Sequence, residues 1–331
     1  MIRTSRYAFL LAKIYGILAK SFVGANYRDI VRLRTVTELY DRLYPGERRE
    51  VPEYQLTADL ERRAAEEAVR TMLYVLELLG EPPRVLVHLL RRYEYLTVKS
   101  VLRTVAYGLS SEPVDWDLGR WDQLRRGEGQ SWHEAVAASP YAWALTMLEK
   151  ESLLAAENAL DKEYYETLAK LVQELPSRDR AGVRKLVSLE TSVTNALWAL
   201  RLRFLFGMDA EHAAGFLIPA GGREGHRVLM QAFDIPADSL EGWRRWRYGW
   251  LVEDQLSEAF HAPDPVRAER QAARRMYIRS HQLFHQDPFT LTPLVAFFRL
   301  KEYEASMLAT AAEALRLGVP GEEVLMLAGL A

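Results

Sequence analysis

The sequence has no cysteine among its 331 residues. Disulfide bonds, thiolate metal sites and a cysteine nucleophile are therefore excluded, and the composition fits a reducing compartment. The formal net charge is only −2, so no overall positive field points to nucleic acid. A phosphate-binding loop is also missing. The glycine pair at 221–222 follows no strand and lacks the glycine-lysine-serine/threonine ending, and we interpret it as a joint between domains.

Long apolar runs are missing as well. None approaches the roughly 18 uninterrupted apolar residues of a transmembrane helix. The stretch 7–19 resembles a secretory signal peptide, but Lys13 interrupts it and its apolar residues keep helical spacing. We therefore predict an amphipathic first helix and no transmembrane segment in the chain. A soluble or peripheral protein on the cytoplasmic side follows from this prediction.

Helical periodicity is what the sequence has in abundance. Hydrophobic residues make up 49% and charged residues 27% of the chain, which is ordinary for a globular protein with a sizeable core. Apolar residues recur at spacings of three and four, and no set of alternating strands stands out. We predict an all-α fold. The expected helices lie at about 5–22, 26–45, 57–79, 84–107, 132–138, 141–158, 161–174, 178–206, 224–233, 238–261, 264–283, 290–317 and 320–329.

One pattern occurs on three of these helices. It consists of a polar residue, a second position three residues later and a glycine fourteen or fifteen residues after the first. The first copy has Glu94, Thr97, Arg103 and Gly108, the second has Ser192, Asn195, Arg201 and Gly207, and the third has Glu304, Met307 and Gly318. We predict three similar helical domains at about 1–112, 113–222 and 223–331. The alternative is chance, because any three amphipathic helices that end in glycine can be aligned.

Several motifs carry a resemblance to a known family. They are Tyr93-Glu-Tyr-Leu-Thr-Val-Lys99, Leu160-Asp-Lys-Glu-Tyr-Tyr165, Leu217-Ile-Pro-Ala-Gly-Gly222, and the C-terminal Pro288-Phe289, Pro293-Leu-Val-Ala-Phe-Phe298, Lys301-Glu-Tyr-Glu304 and Glu322-Glu-Val324. In this order and spacing, the chain resembles the C subunit of the V-type/archaeal-type rotary ATPases, whose eukaryotic counterpart is the d subunit of the V-ATPase. The resemblance extends over nearly the whole chain.

The resemblance implies a fold and a role. The expected molecule is a funnel with pseudo-threefold symmetry, present once per complex. It would sit on the proteolipid ring, hold the central stalk and transmit torque for ATP-coupled proton or sodium transport, or for ATP synthesis. The implied protein is a non-catalytic subunit, peripheral on the cytoplasmic face of the membrane, without cofactor or metal.

The sequence departs from the family pattern inside the repeat. Family members usually have an aspartate and an asparagine where Glu94 and Thr97 stand, and an acidic residue at Ser192. An asparagine and an arginine are common near Met307 and Ala309. We interpret these positions as buried polar contacts between helices, so the departures bear on the family assignment more than on function.

Three other groups of residues could in principle form a metal, binding or catalytic site, but their patterns do not favour one. Glu258, His261, His281 and His285 have the spacing of helical metal ligands, but a carboxylate di-iron bundle needs two Glu-x-x-His units and further glutamates. We predict no metal there. The aromatic and arginine residues of 243–250 resemble some membrane-surface or nucleic-acid segments; we predict an aromatic core face and an exposed arginine face. No carboxylate pair stands out as general acid and base.

Two other functions stay open on the sequence alone. One is an all-helical scaffold or adaptor outside the ATPase. The other is a helical-bundle metalloenzyme that would use the four possible ligands just named.

Overall fold

The computed structural model describes residues 4–23, 29–30, 32–47, 51–110, 112–219, 222–257 and 259–327. Over these ranges the chain forms helices, turns and loops without a strand, so the prediction of an all-α fold is confirmed. The α-helices are α1 Thr4–Leu18, α2 Val36–Leu43, α3 Glu53–Leu79, α4 Arg84–Leu90, α5 Arg92–Tyr107, α6 Trp132–Ala137, α7 Ala142–Lys150, α8 Leu153–Glu174, α9 Ser177–Phe204, α10 Ala210–Ala214, α11 Gly222–Asp234, α12 Leu240–Arg245, α13 Pro265–Phe284, α14 Thr292–Arg316 and α15 Gly321–Leu327.

Side-chain caps set several helix starts. The hydroxyl of Ser131 accepts a hydrogen bond from the backbone N–H of Glu134, whose carboxylate accepts one from the N–H of Ser131. This reciprocal pair of hydrogen bonds is a capping box. Ser152 caps α8 and Asp209 caps α10 in the same way. Each cap satisfies a backbone N–H that has no partner inside its helix.

Three predicted helix boundaries were wrong because such local signals were missed. The second helix begins at Val36, after the Thr35 cap, and not near Asn26, which lies outside the described residues. The third begins at Glu53 after Pro52, so Thr57 lies inside it. The helix predicted at 141–158 is divided, because Ser152 caps a new helix there.

A long helix predicted at 238–261 is also absent from the described residues of that range. The helix α12 ends at Arg245, and two single-turn 3-10 helices follow at Gly249–Leu251 and Glu253–Gln255. The turns bury the side chains of Trp243, Trp246 and Tyr248 on the inside. Their arginine neighbours in 243–250 are exposed, so the predicted separation of aromatic and arginine residues is confirmed although the helix is short.

The chain divides into two compact units. The first consists of Met1–Glu81, Ala181–Leu186 and Glu269–Ala331. In it, α14 packs along α3, and α1, α2 and α15 pack beside them. The core joins residues from both ends of the sequence, among them Leu39, Leu60 and Met307.

Packing in the first unit is tight where α9 passes α14. A Cβ atom on Gly182 would lie 2.1 Å from the Oγ1 atom of Thr292, which is buried. Any larger side chain at 182 would therefore push the two helices apart. The first helix is amphipathic as predicted, since Leu10, Ile14 and Leu18 are buried.

The second unit consists of Pro82–Arg180 and Val187–Ala268. In it, α4, α5 and α7 pack on α8. Tyr95 is central to a buried aromatic cluster, with ring centroids 5.1 Å from Tyr141 and 5.2 Å from Tyr164. His88 stacks on Tyr164. Among the described residues, no helix is both long enough and apolar enough to cross a lipid bilayer.

Candidate functional site on three anchor helices

Three helices, α5, α9 and α14, carry the repeated sequence pattern, and we call them the anchor helices. Each has a buried polar side chain that binds the backbone of a segment far away in the sequence. We call these side chains, Glu94, Asn195 and Glu304, the anchors. Glu94 and Asn195 belong to the second unit and Glu304 to the first.

Glu94 on α5 holds the segment that follows the first anchor helix. Its carboxylate accepts a hydrogen bond of 2.6 Å from the backbone N–H of Gln123 and another from the phenol of Tyr141. Burial raises the pKa of Glu94 to about 7, although both hydrogen bonds and the nearby Arg91 lower it. Burial, followed by the charge of Glu94, also raises the pKa of Tyr141. The first anchor is therefore a carboxyl group that can change protonation near neutral pH.

Asn195 on α9 holds its segment with both halves of its amide. Its Oδ1 accepts a hydrogen bond of 2.7 Å from the N–H of Ile218, and its Nδ2 donates one of 2.8 Å to the carbonyl of the same residue. Thr97 occupies the corresponding position in the first copy, and its hydroxyl donates to the carbonyl of Val114 at 3.0 Å. Both polar residues are buried.

Glu304 on α14 binds a segment from the other end of the sequence. Its carboxylate accepts a hydrogen bond of 2.6 Å from the N–H of Phe22 and forms an ion pair with Lys301. Lys301 and Glu304 are both buried. The pair therefore satisfies two charges that would be costly to bury separately.

The three anchor helices also end alike. Gly108, Gly207 and Gly318 have φ angles of 60°, 63° and 73°, in the left-handed region that favours glycine. The residue after each glycine donates its backbone N–H to a carbonyl earlier in the same helix. That carbonyl belongs to the residue ten positions after the first residue of the pattern, which is Glu94, Ser192 or Glu304. The three pairs are Leu109 to Thr104, Met208 to Leu202 and Val319 to Ala314, at 3.0, 2.9 and 3.0 Å. In the second copy the glycine lies five residues after the residue with that carbonyl, instead of four as in the other two copies.

Large apolar side chains next to these glycines face solvent. Tyr107 is 69% exposed, Leu205 60% and Leu317 64%. The neighbouring Leu109 and Phe206 are exposed as well. A single exposed apolar side chain is ordinary, but its recurrence at the same place in three helices distinguishes these ends as candidate contact points.

The repeat arginines have less uniform surroundings. Arg103 forms an ion pair of 2.5 Å with Glu157 at the surface. The guanidinium of Arg201 lies 6.0 Å from the ring centroid of Trp198. In the third copy the corresponding position is Glu313, which pairs with Arg316. The terminal glycines, rather than the arginines, are therefore the residues that the copies share at the same pattern position, whereas the anchor of the second copy lies three residues later in the pattern than Glu94 and Glu304.

The four residues with the spacing of metal ligands do not form a cluster in the described part of the chain. No group of three histidine, aspartate or glutamate side chains there could hold a metal ion, and Glu258 lies outside the described residues. His281 and His285 contact each other with ring centroids 4.8 Å apart, and Nδ1 of His285 is 3.0 Å from the phenol of Tyr15. Burial, followed by His285, lowers the pKa of His281. His261 is exposed.

Sequence reasoning missed the partners of the anchors. Gln123, Ile218 and Phe22 are bound through their backbone, which no side-chain motif can signal. Tyr141 was missed too, although a tyrosine near a buried carboxylate is a common donor. Taken together, the anchors and helix ends can position segments of the chain; they do not present a nucleophile and base to a substrate.

The fold and its anchors define a helical subunit that holds its segments in place, and comparisons with known proteins give its family. The sequence pattern of the ATP synthase (C/AC39) subunit family matches residues 10–326. The chain belongs to this family, and the resemblance to the C subunit of V-type/archaeal-type ATPases is confirmed.

Three relatives illustrate the degree of similarity. An uncharacterized protein of Treponema pallidum (strain Nichols) is 25% identical over 315 residues, covering 94% of this chain and 92% of the relative. The A-type ATP synthase C subunit of Haloquadratum walsbyi is 27% identical over 256 residues, covering 71% of each chain. That of Methanosarcina mazei is 24% identical over 242 residues, covering 69% of this chain and 65% of the relative.

Proposed function

We propose that this chain is the non-catalytic rotor subunit of a V/A-type rotary ATPase. In this role it links the central-stalk subunits of the soluble sector to the proteolipid ring, with one copy per complex on the cytoplasmic face of the membrane. It passes torque in either direction, for ATP-coupled proton or sodium transport or for ATP synthesis. Membership of the ATP synthase (C/AC39) subunit family supports the assignment to the complex.

The single observation that carries the rotor role is the common ending of the three anchor helices. Each of these helices carries a buried anchor, and near its end it has a glycine with positive φ and an exposed apolar side chain. This recurrence supports a threefold plan of similar domains at about 1–112, 113–222 and 223–331, arranged as a funnel. A subunit with repeated contact points suits a partner that is itself a ring of identical subunits.

Torque transmission also needs stiffness. Close-packed helices resist deformation, and the anchors add hydrogen bonds between helices and the segments beside them. A coupling element of this kind works through two non-covalent interfaces and needs no catalytic side chain. We place those interfaces at helix ends and loops.

The experiment is affinity purification of the intact membrane complex through a tag on this chain. The expected result is recovery of both ring and central-stalk subunits. Tyr107→Ser, Leu205→Ser and Leu317→Ser should each lower that recovery, whereas Tyr54→Ser, an equally exposed apolar residue on α3, should not. Recovery of the wild-type chain without ring or stalk subunits would overturn the proposal and favour an adaptor outside the ATPase.

A further inference from the structure

The helix α13 has a concentration of positive charge within the first unit. Between Glu269 and Phe284 it contains four arginines, at 270, 274, 275 and 279, and Glu269 is its only carboxylate. The chain as a whole is slightly negative. Such a cluster produces a local field that the net charge conceals.

The arginines lie mainly on the outer side of the helix. With 3.6 residues per turn, Arg270, Arg274 and Ile278 share one face, and all three are exposed. Ala272, Ser280, Leu283 and Phe284 are buried on the other side. Glu269 lies nearer to this buried side and is half-buried. We call the exposed side chains of Arg270, Arg274, Arg275 and Ile278 the basic face.

Two arginines of the basic face form no ion pair with a carboxylate among the described residues. In the part of the chain that the structure describes, Arg270 and Arg274 have no carboxylate within ion-pair distance. Arginines elsewhere on the surface are often paired, for example Arg62 with Asp59 and Glu66. An exposed guanidinium without a carboxylate is available to bind an external anion.

We propose that the basic face of α13 binds the anionic headgroups of a phospholipid surface. Arginine binds phosphate oxygens with two parallel hydrogen bonds, which favours a phosphate-bearing partner. Ile278, 42% exposed between the charged residues, adds an apolar contact that suits the headgroup boundary. The face from Arg270 to Ile278 is about 12 Å long on a straight helix, so several side chains can reach one flat surface together.

This contact is separate from the proposed ring and stalk interfaces. It would hold one side of the subunit at the membrane surface by charge, without insertion. Binding should therefore weaken as salt screens the headgroups. A membrane contact of this kind limits tilting of the subunit, whichever other proteins bind to it.

The test is sedimentation of the purified full-length chain with vesicles. Phosphatidylcholine vesicles are compared with vesicles of phosphatidylcholine and phosphatidylglycerol, at low and high salt. Binding to the anionic vesicles only, and its loss at high salt, is expected. Because each arginine near an anionic surface contributes roughly a fivefold gain in binding, the double substitution Arg270→Gln/Arg274→Gln should lower the partition coefficient about 30-fold.

A matched control separates the basic face from charge in general. The double substitution Arg62→Gln/Arg70→Gln removes two exposed arginines of α3 that already have acidic partners, and it should leave vesicle binding unchanged. Circular dichroism and the thermal midpoint show whether each variant is folded. Equal loss in both variants, equal binding to neutral vesicles, or binding only to an acidic protein or to nucleic acid would overturn the proposal.

Discussion

The carboxylate of Glu304 accepts a hydrogen bond from the backbone N–H of Phe22, 282 positions earlier in the sequence. The other two anchors bind segments that follow them, Gln123 after Glu94 and Ile218 after Asn195, at separations of 29 and 23 residues. The backbone N–H that binds the third anchor therefore comes from the N-terminal segment, whereas the N–H groups that bind the first two anchors come from segments that follow them in the sequence.

Removal of the third anchor should destabilise the protein strongly. Glu304→Ala deletes the acceptor of the Phe22 N–H and leaves the buried ammonium of Lys301 without its carboxylate. Loss of one partner of a buried ion pair typically costs about 3–5 kcal/mol. We expect a loss of that order in the free energy of unfolding, measured by urea denaturation.

The control for this substitution lies on the same helix. Glu313→Ala removes a more exposed carboxylate that pairs with Arg316, and exposed ion pairs contribute little to stability. Equal effects at 304 and 313 would show that the third anchor carries no special stability. Glu304→Gln, which keeps an acceptor for Phe22, should have an intermediate effect.

Glu94 should make stability depend on pH. Its pKa is about 7 in the folded protein, against an ordinary value of 4.5, so the folded state binds more protons between these values. The free energy of unfolding therefore falls as pH rises from about 4.5 to about 7, by at most about 3 kcal/mol from this group. Its stabilising contribution is fully present below pH 4.5 and is lost above pH 7.

The measurement compares the wild-type chain with Glu94→Gln by urea denaturation at pH 5 and pH 8. Subtraction of the two proteins cancels the titration of all other groups. The wild-type chain should lose more stability than Glu94→Gln over this interval, whereas Glu128→Gln, at an exposed position, should follow the wild type. Parallel curves for the wild type and Glu94→Gln would contradict a raised pKa.

Local signals explain which parts of the fold could be predicted from sequence. The capping box at Ser131 and the apolar spacing of α1 and α14 each depend on residues only a few positions apart, so a sequence contains the signal for them. The region after Arg245 could not be predicted in this way. There a helical pattern gives way to turns because Trp243 and Trp246 are buried through tertiary packing.

Only the helix residues of the candidate site could be predicted from the sequence, not the groups that they bind. Glu94 and Glu304, at the first pattern position, and Asn195, at the second, are recognisable as polar residues in amphipathic helices. Their partners are backbone groups of Gln123, Ile218 and Phe22. A backbone N–H is the same at nearly every residue, so sequence contains no signal for which one is bound.

The glycines that end the anchor helices should be equally sensitive to substitution. Gly108, Gly207 and Gly318 have positive φ angles, and a Cβ atom at each would meet open space. Alanine should therefore cost only the left-handed conformation, about 1–2 kcal/mol, at all three positions. Gly215→Ala is the control, because Gly215 has a φ of −65° and alanine adopts that conformation readily. Urea denaturation of the four variants measures these costs. One glycine much more tolerant than the other two would contradict an equivalent role for the three helix ends.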